Sequence, residues 1–412
     1  MGMRAERFSR TVLAGATVLV CAVTTAGVAA AAAPAPAPSG AAVVGTRSAR
    51  CPATFPTIQA AVAAAAPRST IFVCAGTYRE RVTIDRPVRL LGAQYGRDAR
   101  TGRTTVADES VVTGSAGAGF TVGAVDGVVI DGFTIASNAG DGIDAFARGS
   151  GFSFVDNVIT GNANGMNVDA AGPAPSTIAR NRFVANDAVP DPQGGAGVLI
   201  TSGPGNALTI GDNLFSGHRS AAVNSIGDPT SRSRGLVVRD NRSVDDGNLA
   251  VINNADGALV TRNIATKAPS AVAGTGIFVV GNTDRLTVSR NVLTGGTGNG
   301  LSTNGAVPFG AAPSTNLVID TNTIRGRTGT GIVVNEGSGV VTGNVVTASG
   351  TNGIAAAATA TGVTFTRNVA TGSVGTDCAD ASTGTGTLGT ANTWSRNVGR
   401  TATPPGLCLP GR

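Results

Sequence analysis

An asparagine returns every 22 to 32 residues through most of the chain, at Asn157, Asn181, Asn213, Asn241, Asn263, Asn291, Asn322, Asn344 and Asn368. Each follows an apolar run and one polar residue, and a second apolar segment comes after it. Gly132 fills the equivalent place one unit earlier. A third segment opens on glycine, at Gly142-Ile143, Gly165-Met166, Gly197-Val198, Gly276-Ile277, Gly331-Ile332 and Gly353-Ile354. Three short strands per unit with no helical period between them predict a stacked coil of parallel β-structure rather than an α/β fold. The repeat overrides the two or three domains that 412 residues would otherwise suggest.

The physics of a stacked coil accounts for the composition. Turns lie about 4.8 Å apart, so like residues sit above like. Val, Ile, Leu and Phe fill the interior, and the 59 glycines allow tight corners. A buried asparagine can bond the next asparagine and the backbone, satisfying groups that would each cost about 1–3 kcal/mol unpaired. The asparagine column is therefore structural. The residue before each asparagine makes a second column, Asp131, Asp156, Arg180, Asp212, Asp240, Arg262, Arg290 and Arg367, expected to pair along a solvated outer corner. With 14% charged residues and no three-residue glycine period, the chain is neither a coiled coil nor collagen.

Arg4, Arg7 and Arg10 precede an apolar run ending in alanines. Residues 1–33 read as a cleavable secretory signal, with a membrane anchor as the rival, and 34–50 as a linker rich in proline and small residues. Cys21 follows Val20, where lipid attachment would want a small residue. Removing the signal leaves Cys51, Cys74, Cys378 and Cys408, whose clustering at opposite ends favours the bridges Cys51 with Cys74 and Cys378 with Cys408. Metal ligation is the alternative, weakened by the lack of CxxC and by a single histidine, His218. Net charge is +6, without a basic run and with 4% aromatics, which argues against a nucleic-acid partner and leaves anionic polymers open. Lys267 is the only lysine.

The opening of the repeat carries a family likeness. Thr57-Ile58-Gln59-Ala60-Ala61-Val62, Ile71-Phe72-Val73, Ala75-Gly76-Thr77-Tyr78-Arg79-Glu80, Val82-Thr83-Ile84 and Leu90-Leu91-Gly92 resemble the start of the pectin-lyase-like β-helix superfamily. The resemblance implies an all-β, single-stranded right-handed parallel β-helix over 51–375. Its end is closed by a capping helix, with Ile58, Ala61, Val62 and Ala65 as the apolar face. A disulfide-stapled cap over 376–412 would finish it, with Trp394 as a lid on the core. It specifies the fold and not the activity. The Trp-Ile-Asp-His string of pectate lyases and the pectin methylesterase motifs are absent. Asn282-Thr283-Asp284, Asp245-Asp246 and Gly217-His218 match polygalacturonase pieces in reverse order, with Arg219 in place of the last glycine.

Aligning units on their asparagines gathers rare residues four to six positions later: Asn162, then Asn186 and Asp187, His218 and Arg219, Asp245 and Asp246, and Lys267. In the superfamily this corner borders the face where polymer binds. Catalysis there would use Asp245 or Asp246 as acid, the other or Asp187 to activate water, and His218 with Arg219 to hold an anionic sugar. A lyase version would use Arg219 or Lys267 as base, with calcium on the aspartates. The bland alternative is a polar turn edge. Asp144 and Asp169, beside Asp141, Asn167 and Asn224, form a second candidate for substrate or cation binding. Insertions at 188–196, 227–234 and 305–313 are expected to wall a groove. The expectation is a secreted monomer, free of the membrane after signal cleavage, that binds an acidic polysaccharide and, if an enzyme, cleaves it as lyase or inverting hydrolase. The alternative is a non-catalytic envelope or matrix protein.

Overall fold

The computed structural model describes residues 35–411, apart from 102, 104, 105, 189–193, 202–206, 229 and 305–311. The expected signal therefore lies outside the described residues, as do most of the expected wall loops at 188–196 and 305–313. From residue 42 onward the chain winds as a right-handed parallel β-helix whose turns each add one strand to three parallel sheets, of fourteen, twelve and thirteen strands in the order the chain visits them. One such turn runs through Leu208–Gly211, Leu214–Ser216 and Ala221–Ser225.

Strand register makes the interior a set of vertical columns. In the first sheet Ile130, Phe154, Ile178, Ile210, Val238, Val260 and Val288 stack in successive turns, all fully buried. Each contributes about 1.5–3 kcal/mol by leaving water. Between the first and second sheets runs the asparagine ladder. Asn263 shows the pattern: its Oδ1 accepts from the backbone N–H and the Nδ2 of Asn241, both at 3.0 Å. Its own Nδ2 donates to Val238 O at 2.9 Å and to Asn291 Oδ1 at 3.0 Å. Every lone pair and proton of the buried amide thus has a partner, and the chain turns the corner without an orphan.

The ladder differs from expectation at both ends. Phe133, not Gly132, occupies the slot before Asn157, since its N–H donates to Asn157 Oδ1. Gly132 therefore belongs to the outer corner column, and Asp131 sits one place earlier, opposite Val155. A phenylalanine buries well there because the ladder has no asparagine below it to satisfy. At the far end the repeat continues past Asn368 to Asn397, which accepts from Asn368 at 2.9 Å and donates to Phe365 O.

Domain edges move accordingly. Ala42–Val44, in the segment expected to be a linker, pairs with Ser69–Val73 as the first strand of the first sheet. The expected C-terminal cap supplies another turn through Cys378–Asp380, Thr393–Ser395 and Ala402–Thr403. Trp394 stacks on Phe365 at 4.1 Å inside it and donates to Asp380 Oδ2 at 2.7 Å. Both bridges pair as the cysteine clustering suggested, Cys51 with Cys74 and Cys378 with Cys408.

The helix Ile58–Ala64 lies on the first turn with Ile58, Ala61 and Val62 buried in the common core. Thr57 caps it by accepting from Ala60 N, and the Glu80 carboxylate takes the N–H groups of Ile58 and Gln59 at 2.9 Å each. Ala65 is its C-cap and only half-buried. Among the described residues no helix is long and apolar enough to cross a membrane.

Candidate functional site

The corner before the third sheet divides its side chains between interior and surface. Four residues past each asparagine the backbone is usually left-handed and the side chain points out; five past, it points in; six past, it points out again. The inward column begins as a second amide ladder. Asn138 bonds Asn162, and Asn162 bonds Asn186, through Nδ2 to Oδ1 at 3.0 and 2.9 Å. His218 and Asp246 continue it. Asn186 Nδ2 lies 3.2 Å from His218 Nε2, and His218 Nδ1 lies 2.7 Å from Asp246 Oδ1. Because Asn186 Nδ2 also donates to Ile159 O, Nε2 must accept, and the imidazole carries its proton on Nδ1. Ser243 Oγ donates to Asp246 Oδ2 at 2.6 Å. Both side chains are fully buried within the interior ladder, on the inner side of the wall, so neither His218 nor Asp246 can touch a polymer in this arrangement; Asp169, though its side chain is only 2% exposed, lies on the outer side beside the exposed Arg148.

Lys267 also turns inward, donating to Gly247 O at 2.7 Å. Burial, with Arg327 nearby, lowers its pKa to about 8 against the pull of Asp246 and Asp245. Arg327, pushed down to about 10 by burial, bonds the carbonyls of Gly295, Gly274 and Thr297. These cations border a cavity of about 10 Å³, room for about one water.

Asp187 and Arg219 form an outward ion pair at 2.9 Å on adjacent turns. Asp245, with φ at 58°, accepts from Ala268 N at 2.7 Å on the outer bend. The expected catalytic set is therefore split by the wall of the coil, because consecutive residues of an extended corner face opposite ways. Asp245 and Asp246 were adjacent in sequence and are opposed in space. Calcium does not fit there either: Asp187 is matched by Arg219, Asp246 is sealed, and among the described residues no three His, Cys, Asp or Glu side chains gather as ligands.

The second candidate does come together. Asp144 on the strand Ile143–Ala145 is the register partner of Asn167 on Met166–Val168, both facing outward from the third sheet. Asp169 follows Asn167 by two residues and shares its face. One strand spacing and two residues of rise put the Cα atoms of Asp144 and Asp169 about 8 Å apart. Asp144 Oδ1 and Asp169 Oδ1 are both buried without a hydrogen-bond partner. Burial raises the pKa of Asp169 to about 6, against Arg148, whose Nε stands 3.9 Å away. Asp144 is raised by the same cause, opposed by the Phe146 N–H and by Arg81. Thr201 Oγ1 donates to Asn167 Oδ1 at 3.2 Å. Asn224 stands three turns from Asp144 with Leu199 between, and bonds Ser220.

Phe146, 44% exposed, sits two residues past Asp144 on the same face. Neither it nor Arg81, Arg148 and Thr201 was singled out from sequence. The alternation that placed Asp144 outward would have reached Phe146, whereas Arg81 and Arg148 come from bends that no repeat position marks. A cavity of about 720 Å³ lined by Pro36, Arg50, Phe72 and Asp108 includes none of these residues.

The sequence matches the family described as the right handed beta helix region over residues 77–243 and 231–370. The chain belongs to that right-handed β-helix family. No curated protein matches it by sequence. Among solved structures, this β-helix is similar to the catalytic unit of a GH87 α-1,3-glucanase from Streptomyces thermodiastaticus. Identity is 16% and the TM-score 0.54, covering 90% of this chain and 71% of that one. It is also similar to the A-module of the mannuronan C-5 epimerase AlgE6 of Azotobacter vinelandii, at 18% identity and TM-score 0.44, covering 78% and 74%. A mannuronic acid specific family 6 polysaccharide lyase from human gut microbiota matches at 13% identity and TM-score 0.46, covering 74% and 81%. These likenesses concern the fold.

Proposed function

We propose that this β-helix is an exported carbohydrate-active protein that binds and hydrolyses an acidic polysaccharide on the outer face of its third sheet. The reading is carried by one observation, the two buried, unpartnered carboxylate oxygens of Asp144 and Asp169 on adjacent turns. Of the unpartnered buried side-chain atoms among the described residues, these are the two that belong to carboxylates, and they share one outer face, where a ligand's hydroxyl groups could satisfy them. The catalytic unit of an α-1,3-glucanase on the same fold supports a polysaccharide as that ligand. Two disulfides support passage through an oxidising compartment.

The chemistry follows from the environment of each group. Below about pH 6 Asp169 keeps its proton and can give it to the glycosidic oxygen as the bond to the anomeric carbon breaks. Asp144, when ionised, takes a proton from the water that attacks the opposite face. With their Cα atoms about 8 Å apart by strand spacing and rise, the two carboxyl groups can adopt the roughly 6.5–9.5 Å separation of inverting hydrolases. Arg81 and Arg148 supply cationic contacts for a uronate, and Phe146 an apolar surface for a pyranose face. Hydrolysis is favoured over elimination because, of the two candidate lyase bases, Lys267 is committed inward to Gly247 O and Arg219 is held in an ion pair by Asp187.

The test is a polysaccharide panel assayed for reducing ends and for unsaturated uronate absorbance. New reducing ends without that absorbance, lost in Asp144→Asn and Asp169→Asn, are expected. Cleavage that survives both substitutions would remove the site. Binding without any product would favour the non-catalytic alternative.

A further inference from the structure

The outer corner beside the asparagine ladder changes character along the coil. In the earlier turns its arginines are neutralised by the turn below. Arg180 holds Asp156 through two bonds, at 2.8 and 2.6 Å, and Arg262 holds Asp240 through two of 2.7 Å. In the last five turns the same column carries Arg290, Thr321, Gly343, Arg367 and Arg396, placed by the pairing of Ser289, Asp320, Thr342, Thr366 and Ser395. Arg290, Arg367 and Arg396 are exposed. Among the described residues none has a carboxylate within 4 Å or a side-chain hydrogen bond.

The adjoining second sheet adds to the same charge. Arg325 stands opposite Thr294 on one side and Thr347 on the other, and Arg400 ends that row. Both are exposed and unpaired. From Gly257 to its end the sequence holds twice as many basic residues as acidic ones. Of the acidic ones, Asp377 and Asp380 are buried, Asp284 lies beside Arg232 and Arg285, and Glu336 follows a strand of the third sheet. Only Asp320 remains near the ridge.

Backbone conformation makes the choice of residue more telling. Arg290, Arg367 and Arg396 all adopt the left-handed conformation, with φ of 56°, 54° and 55°. Asn, Asp and Gly adopt it at least cost, and a long side chain does not. Arg180 and Arg262 hold this conformation with ion pairs to the turn below; Arg290, Arg367 and Arg396 hold it, like Thr321 in the same column, without one.

We infer that the arginine ridge of the last five turns is a second polymer-binding surface, separate from the third-sheet carboxylates, that holds an extended anionic polysaccharide along the coil axis. The stacked amides fix the Cα atoms of the column on a line about 19 Å long from Arg290 to Arg396. The arginines stand about 14 Å and about 5 Å apart, and their long side chains can reach the carboxylate or sulfate groups of a polymer lying along the column, with the row of Thr294, Thr347 and Thr371 offering hydroxyls beside it. The face carries no exposed aromatic side chain to stack on bases, which separates this partner from single-stranded nucleic acid. Such a surface would keep the protein on an anionic matrix whatever the third sheet does.

The experiment measures binding of polygalacturonate and of heparin to the full chain across a salt series. The triple variant Arg290→Asn, Arg367→Asn, Arg396→Asn is compared with it, since Asn tolerates the left-handed corner. Wild type should bind with steep salt dependence, and the triple variant about tenfold more weakly with a shallower slope. Its thermal midpoint should be equal or higher, which excludes unfolding as the cause. Asp144→Asn should retain ridge binding, so failure of the hydrolase reading and failure of this one are distinguishable. Equal binding by the triple variant, or no binding by wild type, overturns the inference. Tighter capture of a single-stranded oligonucleotide than of either polysaccharide overturns the choice of partner.

Discussion

Replacing Asp169 by asparagine tests whether the third-sheet carboxylates are held at the expense of the fold. A carboxyl whose native pKa lies above its unfolded value keeps its proton longer in the folded state. Stability is then lost as pH rises through the interval between the two. For Asp169 that interval runs from 3.8 to about 6. At about 1.4 kcal/mol per tenfold change in acidity, the group costs the native state about 3 kcal/mol at pH 7 and nothing below pH 3. Urea unfolding of wild type and Asp169→Asn at a series of pH values isolates the effect, because Asp131, also raised to about 6, is common to both. The difference between the two proteins should swing by about 2–3 kcal/mol in favour of the variant between pH 3 and pH 7. With an unfolding entropy near 2 cal/mol/K per residue, the melting difference should move by about 3–4 °C. Parallel pH profiles would refute the claim that an ionised, unsatisfied carboxylate is buried there.

Three further outcomes follow from the interior. Asn263→Ala should lower stability by about 2–4 kcal/mol in urea unfolding, since it strands the Asn241 amide, Val238 O and Asn291 Oδ1 at once. His218→Asn restores an amide rung and should cost less than about 1.5 kcal/mol, whereas His218→Ala opens a cavity and removes one hydrogen bond each from Asn186 and Asp246, which keep their bonds to Ile159 O, the residue-218 N–H and Ser243, and should cost about 2–4. Equal losses would argue against a ladder role. Lys267 has a native pKa of about 8, below its unfolded value, so wild type should gain about 2–3 kcal/mol as pH rises from 8 to 10.5. Lys267→Met should show no such rise in the same titration.

The asparagine period alone was enough to read the coil, its three sheets and the buried ladder, because a stacked fold turns sequence spacing into vertical neighbours. The cysteine clusters likewise announced both bridges. Errors fell where the period had no mark. Phe133 took the slot assigned to Gly132, and Ala42–Val44 joined the sheet from a segment whose proline and small residues read as linker.

The corner holding His218, Arg219, Asp245, Asp246 and Lys267 marks the boundary between the two kinds of knowledge. Sequence alignment put these residues on neighbouring turns, and the structure does bring them there. It could not say which side of the wall each would face, because that depends on whether the bend is left-handed at one residue or the next. Sequence determined the vertical order, through the repeat length. Tertiary structure decided inside from outside, and with it left Asp144 and Asp169 on the outer face of the third sheet while His218 and Asp246 turned into the core.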